Sequence, residues 1–247
     1  MKTFDLSQNW WQFVIVAIVC YLIGCVNFAL IISRLKKNDI TKIGSGNPGT
    51  MNMSREFGLK IGLITFFGDA LKGGIPALIG YFLYREFYFD GTGVLVSDFI
   101  RYFCGIFVVL GHIFPVTMKF KGGKGIASTL GLFWVSLACE NAWLLLIGFA
   151  LLLCIVLFIY LTEWGSLGSL SGVTVFSIMQ LVIFFQRYNA FPVNAYTVAV
   201  FAFILVLDIL TWGAHHKNLA RLFSGEEHRT SIKKLAQKKK KREEEKS

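Results

Sequence analysis

Charge is scarce in this chain and proline scarcer still. Asp, Glu, Lys and Arg make up 16% of its 247 residues, and prolines number four. An ordinary soluble domain carries about a quarter charged residues. A water-soluble globular fold is therefore excluded, because apolar residues are 55% of the chain and fall in long runs. Cysteine is sparse as well. Cys20, Cys25, Cys104, Cys139 and Cys154 form no CxxC pair and no Cys/His cluster at ligand spacing, which removes structural zinc and a disulfide framework. All five lie in or at the ends of apolar runs and read as packing residues. No small-residue cleavage site follows the first apolar run, so that run is expected to stay as a spanning helix.

What is present is a succession of apolar segments long enough to cross a bilayer, which takes about 20 helical residues. They run from about Trp11 to Ile32, Ile61 to Tyr84, Val94 to Leu110, Ile126 to Cys139, Ala142 to Leu161, Leu167 to Phe185 and Asn194 to Trp212. The expectation is an all-α polytopic membrane protein of about seven transmembrane helices. The fourth segment is short, and a re-entrant or half-helix there would give a five-span alternative with the same termini. Seven spans place the termini on opposite sides. With the N-terminus outside, inner loops and tail carry 20 Lys and Arg against 3 in the outer segments, with Lys72 and Arg101 inside spans. The positive-inside rule then puts the N-terminus outside and the C-terminus in the cytoplasm. Residues 1–229 are expected to form one membrane-embedded catalytic domain, and 230–247 a basic, disordered cytoplasmic tail. The tail's charge suits anionic lipid headgroups; nothing near it reads as a nucleic-acid fold.

That topology gathers three unusual polar stretches on the cytoplasmic side. The first runs from Ser45 through Gly46, Asn47, Pro48, Gly49 and Thr50 to Asn52, with Arg55 just beyond. The second is the lysine loop, with Lys119, Lys121, Gly122, Gly123, Lys124 and Gly125, preceded by His112. The third spans His215, Asn218, Arg221 and Glu227. Each mixes glycine, small hydrogen-bonding side chains and a cation, which is the chemistry for holding phosphate. Taken alone, the lysine loop reads equally well as an anion cradle or as a topological anchor. It is not a P-loop: Met118 stands where the first glycine is needed, and Gly125 where Ser or Thr would hold magnesium.

Asp69 and Lys72 lie three apart on one helix face and read as a pair behind the site, with Lys72 turned toward it. His112 reads as a hydrogen-bonded structural histidine rather than a catalytic one. His215 and Asn218, also three apart, aim an imidazole and an amide at one point, which suits a base with an orienting donor. His216 points elsewhere. Ser45 has no assembled triad around it and reads as a binding residue. Buried Asp69, Lys72 and Arg101 would also suit a transporter of a phosphate-bearing solute, although no inverted repeat is visible and the motifs gather on one side rather than at mid-membrane. A lipid-binding scaffold would keep the basic loops without turnover.

The three stretches together resemble the bacterial acyl-phosphate:glycerol-3-phosphate acyltransferase family. The matching residues are Ser45, Gly46, Asn47, Gly49, Asn52 and Arg55; Gly111, His112, Phe114, Pro115 and Phe120 through Gly125; and His215, Asn218, Arg221, Leu222, Gly225 and Glu227. Asp69 with Lys72 and Gly73, and Ser166 through Ser169, also look like family positions. The match covers about residues 11 to 229. Thr50-Met51 departs from the usual Ala-Thr, and His216-Lys217 from Arg-Glu.

The resemblance implies a seven-helix enzyme of phospholipid synthesis in the cell membrane, its site facing the cytoplasm. It would move a fatty acyl group from acyl phosphate to the 1-hydroxyl of sn-glycerol 3-phosphate, giving lysophosphatidate and phosphate, with no cofactor and no metal. The soluble enzyme that makes acyl phosphate is a partner it leaves open. Lys124, Arg55 and the loop glycines would bind phosphate, and Ser45, Asn47 and Asn52 would orient substrate or donate to an oxyanion. His215 with Asn218 would position glycerol phosphate, and either His215 or a substrate phosphate would take the proton. Gly46, Gly49, Lys72, His112, Lys121, Gly122, Gly123, Gly125, Arg221 and Glu227 complete the expected binding set. Thr117, Ala220, Arg221 and Lys233 follow the four histidines at the fifth position, so the His-x4-Asp pair of many glycerolipid acyltransferases is missing.

Overall fold

The computed structural model describes residues 2–226. Ten α-helices are found among them: α1 Leu6–Cys25, α2 Phe28–Leu35, α3 Thr50–Phe57, α4 Leu59–Tyr84, α5 Val96–Ile113, α6 Ile126–Glu140, α7 Leu144–Thr162, α8 Gly165–Tyr188, α9 Ala195–Ala214 and α10 His216–Phe223. Two short strands, β1 Lys2–Phe4 and β2 Phe87–Phe89, pair in parallel, with Thr3 opposite Tyr88. Among the described residues six segments are long and apolar enough to cross a membrane. The seventh expected span coincides with α6, whose 15 residues give a length of about 22 Å. The chain is an all-α polytopic membrane protein.

The first expected span is not one helix. α1 stops at Cys25 because Val26 and Asn27 are extended. The Asn27 side chain then caps α2 by accepting from the Leu30 N–H at 2.9 Å. Sequence periodicity passes over this break, since Asn27 is one amide inside an apolar run. α3, α10 and the strands were also not anticipated.

Two helix pairs are held at backbone contact, as in membrane helices that pack through small residues. Where α4 crosses α6, a Cβ on Gly73 would collide with the Ser128 carbonyl, and one on Gly131 with the Ala70 carbonyl. Where α1 crosses α5, a Cβ on Gly24 would collide with the Val108 carbonyl, and one on Gly111 with the Tyr21 carbonyl. α6 lies inside the bundle against α4, α5 and α8, with nearly all of its first two turns buried.

The long helices α1, α4, α5, α6, α7, α8 and α9 alternate in direction, so the bundle has two ends. At one end the start of α1, the end of α4 and the start of α5 meet in an aromatic cluster. Phe4 packs edge-on against Phe13, Tyr84 and Phe89, and Phe89 stacks on Tyr196 at 3.9 Å. A buried charge cluster sits beside it. Arg101 of α5 bonds Asp98 at 2.5 Å, Glu140 of α6 at 2.6 Å and the Ser136 carbonyl at 3.0 Å. Arg187 of α8 pairs with Asp98 at 2.6 Å and also with Glu140, and the Tyr188 hydroxyl donates to Asp98 at 2.6 Å. The opposite end carries the three polar stretches.

Removing one partner of a buried, hydrogen-bonded ion pair costs about 3–5 kcal/mol, because the other charge stays buried. Arg101→Ala should therefore lower stability by that order. Thermal unfolding in detergent, beside the exposed Arg85→Ala as control, measures it.

Candidate active site

The first polar stretch is held together by Asn52. Its side chain, buried on α3, accepts from the Ser45 N–H at 3.0 Å and donates to the carbonyls of Ile43 at 3.0 Å and Ile40 at 3.3 Å. That clamp leaves no room for a side chain at Gly44, whose φ of +60° already favours glycine. Ser45 itself is exposed, and Gly46, Asn47 and Gly49 are partly so. Asn47 and Gly49 form the lead-in to α3, with the Gly49 N–H donating to the Asn47 carbonyl at 2.9 Å. Arg55 lies half-buried in the last turn of α3. Nearby, Asp39 accepts from both the Thr41 hydroxyl and its N–H, which holds its carboxyl below the usual range.

The lysine loop folds back on the end of α5. Gly122 donates its N–H to the Ile113 carbonyl and Gly123 to the His112 carbonyl, each at 3.0 Å. These two N–H groups are therefore used inside the loop. The glycines serve close approach instead: a Cβ on Gly122 would strike the His112 carbonyl, and one on Gly123 the His112 ring. Lys119 and Phe120 both have left-handed backbone, at φ +52° and +61°. Lys119 and Lys121 are exposed, whereas Lys124 is half-buried and Gly125 opens α6.

The third stretch comes to meet Lys124. Its ammonium donates to Asn218 Oδ1 at 2.5 Å, and Asn218 Nδ2 donates to the Ser166 hydroxyl at 2.7 Å. Three chain segments, the starts of α6, α8 and α10, thus converge on one polar line. His215 stands at the joint between α9 and α10, only 3% exposed. Its Nδ1 lies 2.8 Å from the Thr211 carbonyl. A carbonyl only accepts, so Nδ1 carries the proton and the basic lone pair is on Nε2. Arg221 follows one turn later, half-buried, and His216 is exposed. Glu227 lies outside the described residues, as does the basic tail from 230 onward.

Ser166 is among the residues that carry the family resemblance but is not in the expected site, because a lone serine at a helix start carries no chemical signal of its own. Lys72 and His112 also sit differently from the expectation that they bind phosphate. Both are buried, and their nitrogens Nζ and Nδ1 are 2.8 Å apart. Among the described residues no three His, Cys, Asp or Glu side chains converge as metal ligands. Lys72 and Arg101 belong to two separate charge clusters at opposite ends, and Asp208 of α9 stands apart from both, accepting from the Thr174 hydroxyl at 3.1 Å.

Comparison with known proteins identifies the family. The family model described as glycerol-3-phosphate acyltransferase matches residues 14–225. The chain belongs to the glycerol-3-phosphate acyltransferase family. A curated member from Mycoplasmopsis pulmonis is 36% identical over 213 residues, covering 84% of this chain and 88% of its own. One from Aquifex aeolicus is 36% identical over 212 residues, covering 86% and 96%. Crystal structures of PlsY, an integral membrane glycerol 3-phosphate acyltransferase, share the fold. The glycerol 3-phosphate form superposes with a TM-score of 0.71 at 29% identity, and the lysophosphatidic acid form with 0.70 at 30%. Each comparison covers 91% of this chain and 98% of the other. As a glycerol-3-phosphate acyltransferase family member, this chain is an integral membrane acyltransferase.

Asn52→Ala should release the 40–45 loop by leaving the buried Ile40 carbonyl and the partly buried Ile43 carbonyl without their donor, a cost of about 1–3 kcal/mol. Limited proteolysis should then cut between residues 36 and 49 faster than in the parent protein, with the helical content unchanged.

Proposed function

We propose that the chain transfers a fatty acyl group from acyl phosphate to the 1-hydroxyl of sn-glycerol 3-phosphate, releasing 1-acyl-sn-glycerol 3-phosphate and inorganic phosphate. The observation that carries this reading is the Lys124–Asn218–Ser166 line beside buried His215, at the end of the bundle that also bears Arg55 and the exposed Ser45 loop. Both substrates carry phosphate and one carries a long chain. The residues supply cations and directed donors where apolar helices end, which suits both.

The acyl donor is a mixed anhydride and already activated. The glycerol hydroxyl oxygen attacks its carbonyl carbon, the carbon–oxygen bond to phosphate breaks, and phosphate leaves with that bonding pair. No protein nucleophile is required. Lys124 and Arg55 neutralise the leaving phosphate, and Asn218, Ser166 and Ser45 are placed to donate to phosphate oxygens or to the developing oxyanion. Holding the two substrates in register supplies the rest of the acceleration. The hydroxyl proton goes to His215 Nε2 or to a substrate phosphate oxygen. Loop glycines Gly122 and Gly123 act by allowing the fold of the loop, and Lys121 and Arg221 supply outlying positive charge.

By the lysine and arginine distribution, the site end faces the cytoplasm and the other end the outside of the cell membrane. Residues 1–229 make a single domain in this reading, and the soluble source of acyl phosphate would meet it at the site end.

Purified protein in nanodiscs, given glycerol 3-phosphate with palmitoyl phosphate or with palmitoyl-CoA, should form lysophosphatidate and phosphate from the acyl phosphate alone. Lys124→Ala should lose about 10²-fold or more in kcat/KM. Absence of product from both donors with intact protein would reject the reading. His215→Ala decides the proton's destination. A large fall in kcat at saturating substrate assigns it to His215, and near-parental turnover assigns it to a substrate phosphate.

A further inference from the structure

The break between α1 and α2 leaves the carbonyls of Gly24, Cys25 and Val26 without the N–H groups a continuous helix would supply. Inside a bilayer such carbonyls need internal donors. Lys72 of α4, 6% exposed, donates to Val26 at 2.6 Å and Gly24 at 3.0 Å. The Thr117 hydroxyl, from the segment leading into the lysine loop, reaches Cys25 at 3.5 Å. The Lys72 ammonium also meets His112 Nδ1 at 2.8 Å and pairs with Asp69 at 3.1 Å. An ammonium donates only, so His112 Nδ1 accepts and the neutral ring carries its proton on Nε2. That edge of the ring lies under Gly123, where a Cβ would overlap it.

Two partners of Lys72, Val26 and His112, each lead to one loop of the site. Beyond Val26, Asn27 donates to the Pro48 carbonyl at 3.1 Å and so fixes the loop bearing Ser45. His112 accepts the Gly123 N–H on its carbonyl and so fixes the loop bearing Lys124. With its ammonium already surrounded by four protein atoms, Lys72 is in no position to take phosphate as well.

We infer that Lys72, with Asp69 and His112, is a positioning residue for acyl transfer: it sets the spacing between the Ser45 loop and the Lys124 loop, and so the register of acceptor and donor. This rests on the proposed reaction and deepens it. A misplacement of about 1 Å between reacting groups can cost about 10²-fold in rate, whereas binding of one substrate needs only its own loop.

The test is the split between binding and turnover in Lys72→Met, alongside Lys124→Met, with glycerol 3-phosphate affinity read by calorimetry and kcat by phosphate release. The expected result is a fall in kcat of about 10²-fold with the glycerol 3-phosphate dissociation constant essentially unchanged. Lys124→Met, by contrast, should weaken use of the donor, seen as a raised KM for acyl phosphate. Markedly weaker binding with kcat unchanged in Lys72→Met would make Lys72 a phosphate ligand and overturn the inference. Parental values for both would overturn it too. Should Lys72→Met not fold, Asp69→Leu with Lys72→Met replaces the buried pair by apolar side chains and is read the same way. Parent protein that turns over no acyl phosphate would count against the proposed reaction, not against Lys72, so the two failures are distinguishable.

Discussion

A carbonyl left unpaired in hydrocarbon has no water to turn to, and the α1–α2 break creates three of them at the depth where the polar loops begin. The ammonium of Lys72 answers two, and the rest of the site end is arranged around that answer. α4 must come close enough to bring the ammonium there. α5 must come close enough for His112 to share it. The backbone contacts at Gly24, Gly111, Gly73 and Gly131 are what permit this. A larger side chain at any of these crossings would push apart the helices that carry the site. The loops themselves are short of internal structure and take their places from this framework.

Much of the framework could be read from composition and run length. Of the seven apolar segments, six fall on an observed helix to within a few residues, and the first runs across α1, the break at Val26 and Asn27, and α2. The described residues of the three polar stretches do lie at one end of the bundle. What could not be read was direction. Lys72 is one cation on an apolar face, and its spacing to Asp69 says which face it shares, not whether it points to a substrate or to a neighbouring backbone. The glycines of the lysine loop look like an anion cradle by type, yet two of their N–H groups close the loop on α5. Asn27 gave no signal because its role depends on Pro48, 21 residues away.

The charge cluster at the far end has an electrostatic meaning of its own. Arg101 and Arg187 face Asp98 and Glu140, two cations against two carboxylates. Arg187 therefore presents little net field to its surroundings, although it counts as a positive residue at the end opposite the site. The asymmetry of charge between the two ends is larger than the residue count implies, and nearly all of it belongs to the end that carries the site.

α6 is shorter than a bilayer is thick. About 22 Å of helix against about 30 Å of hydrocarbon means that when its Glu140 end reaches one interface, its Gly125 end stops about 8 Å below the other. In that placement Lys124, next to Gly125, would lie below the membrane surface and not above it. A lipid-borne donor could bring its carbonyl to that depth by sliding sideways. It would avoid lifting several methylenes into water at about 0.8 kcal/mol each. The water-soluble acceptor makes the vertical journey instead, and for a molecule with no greasy tail the descent is short.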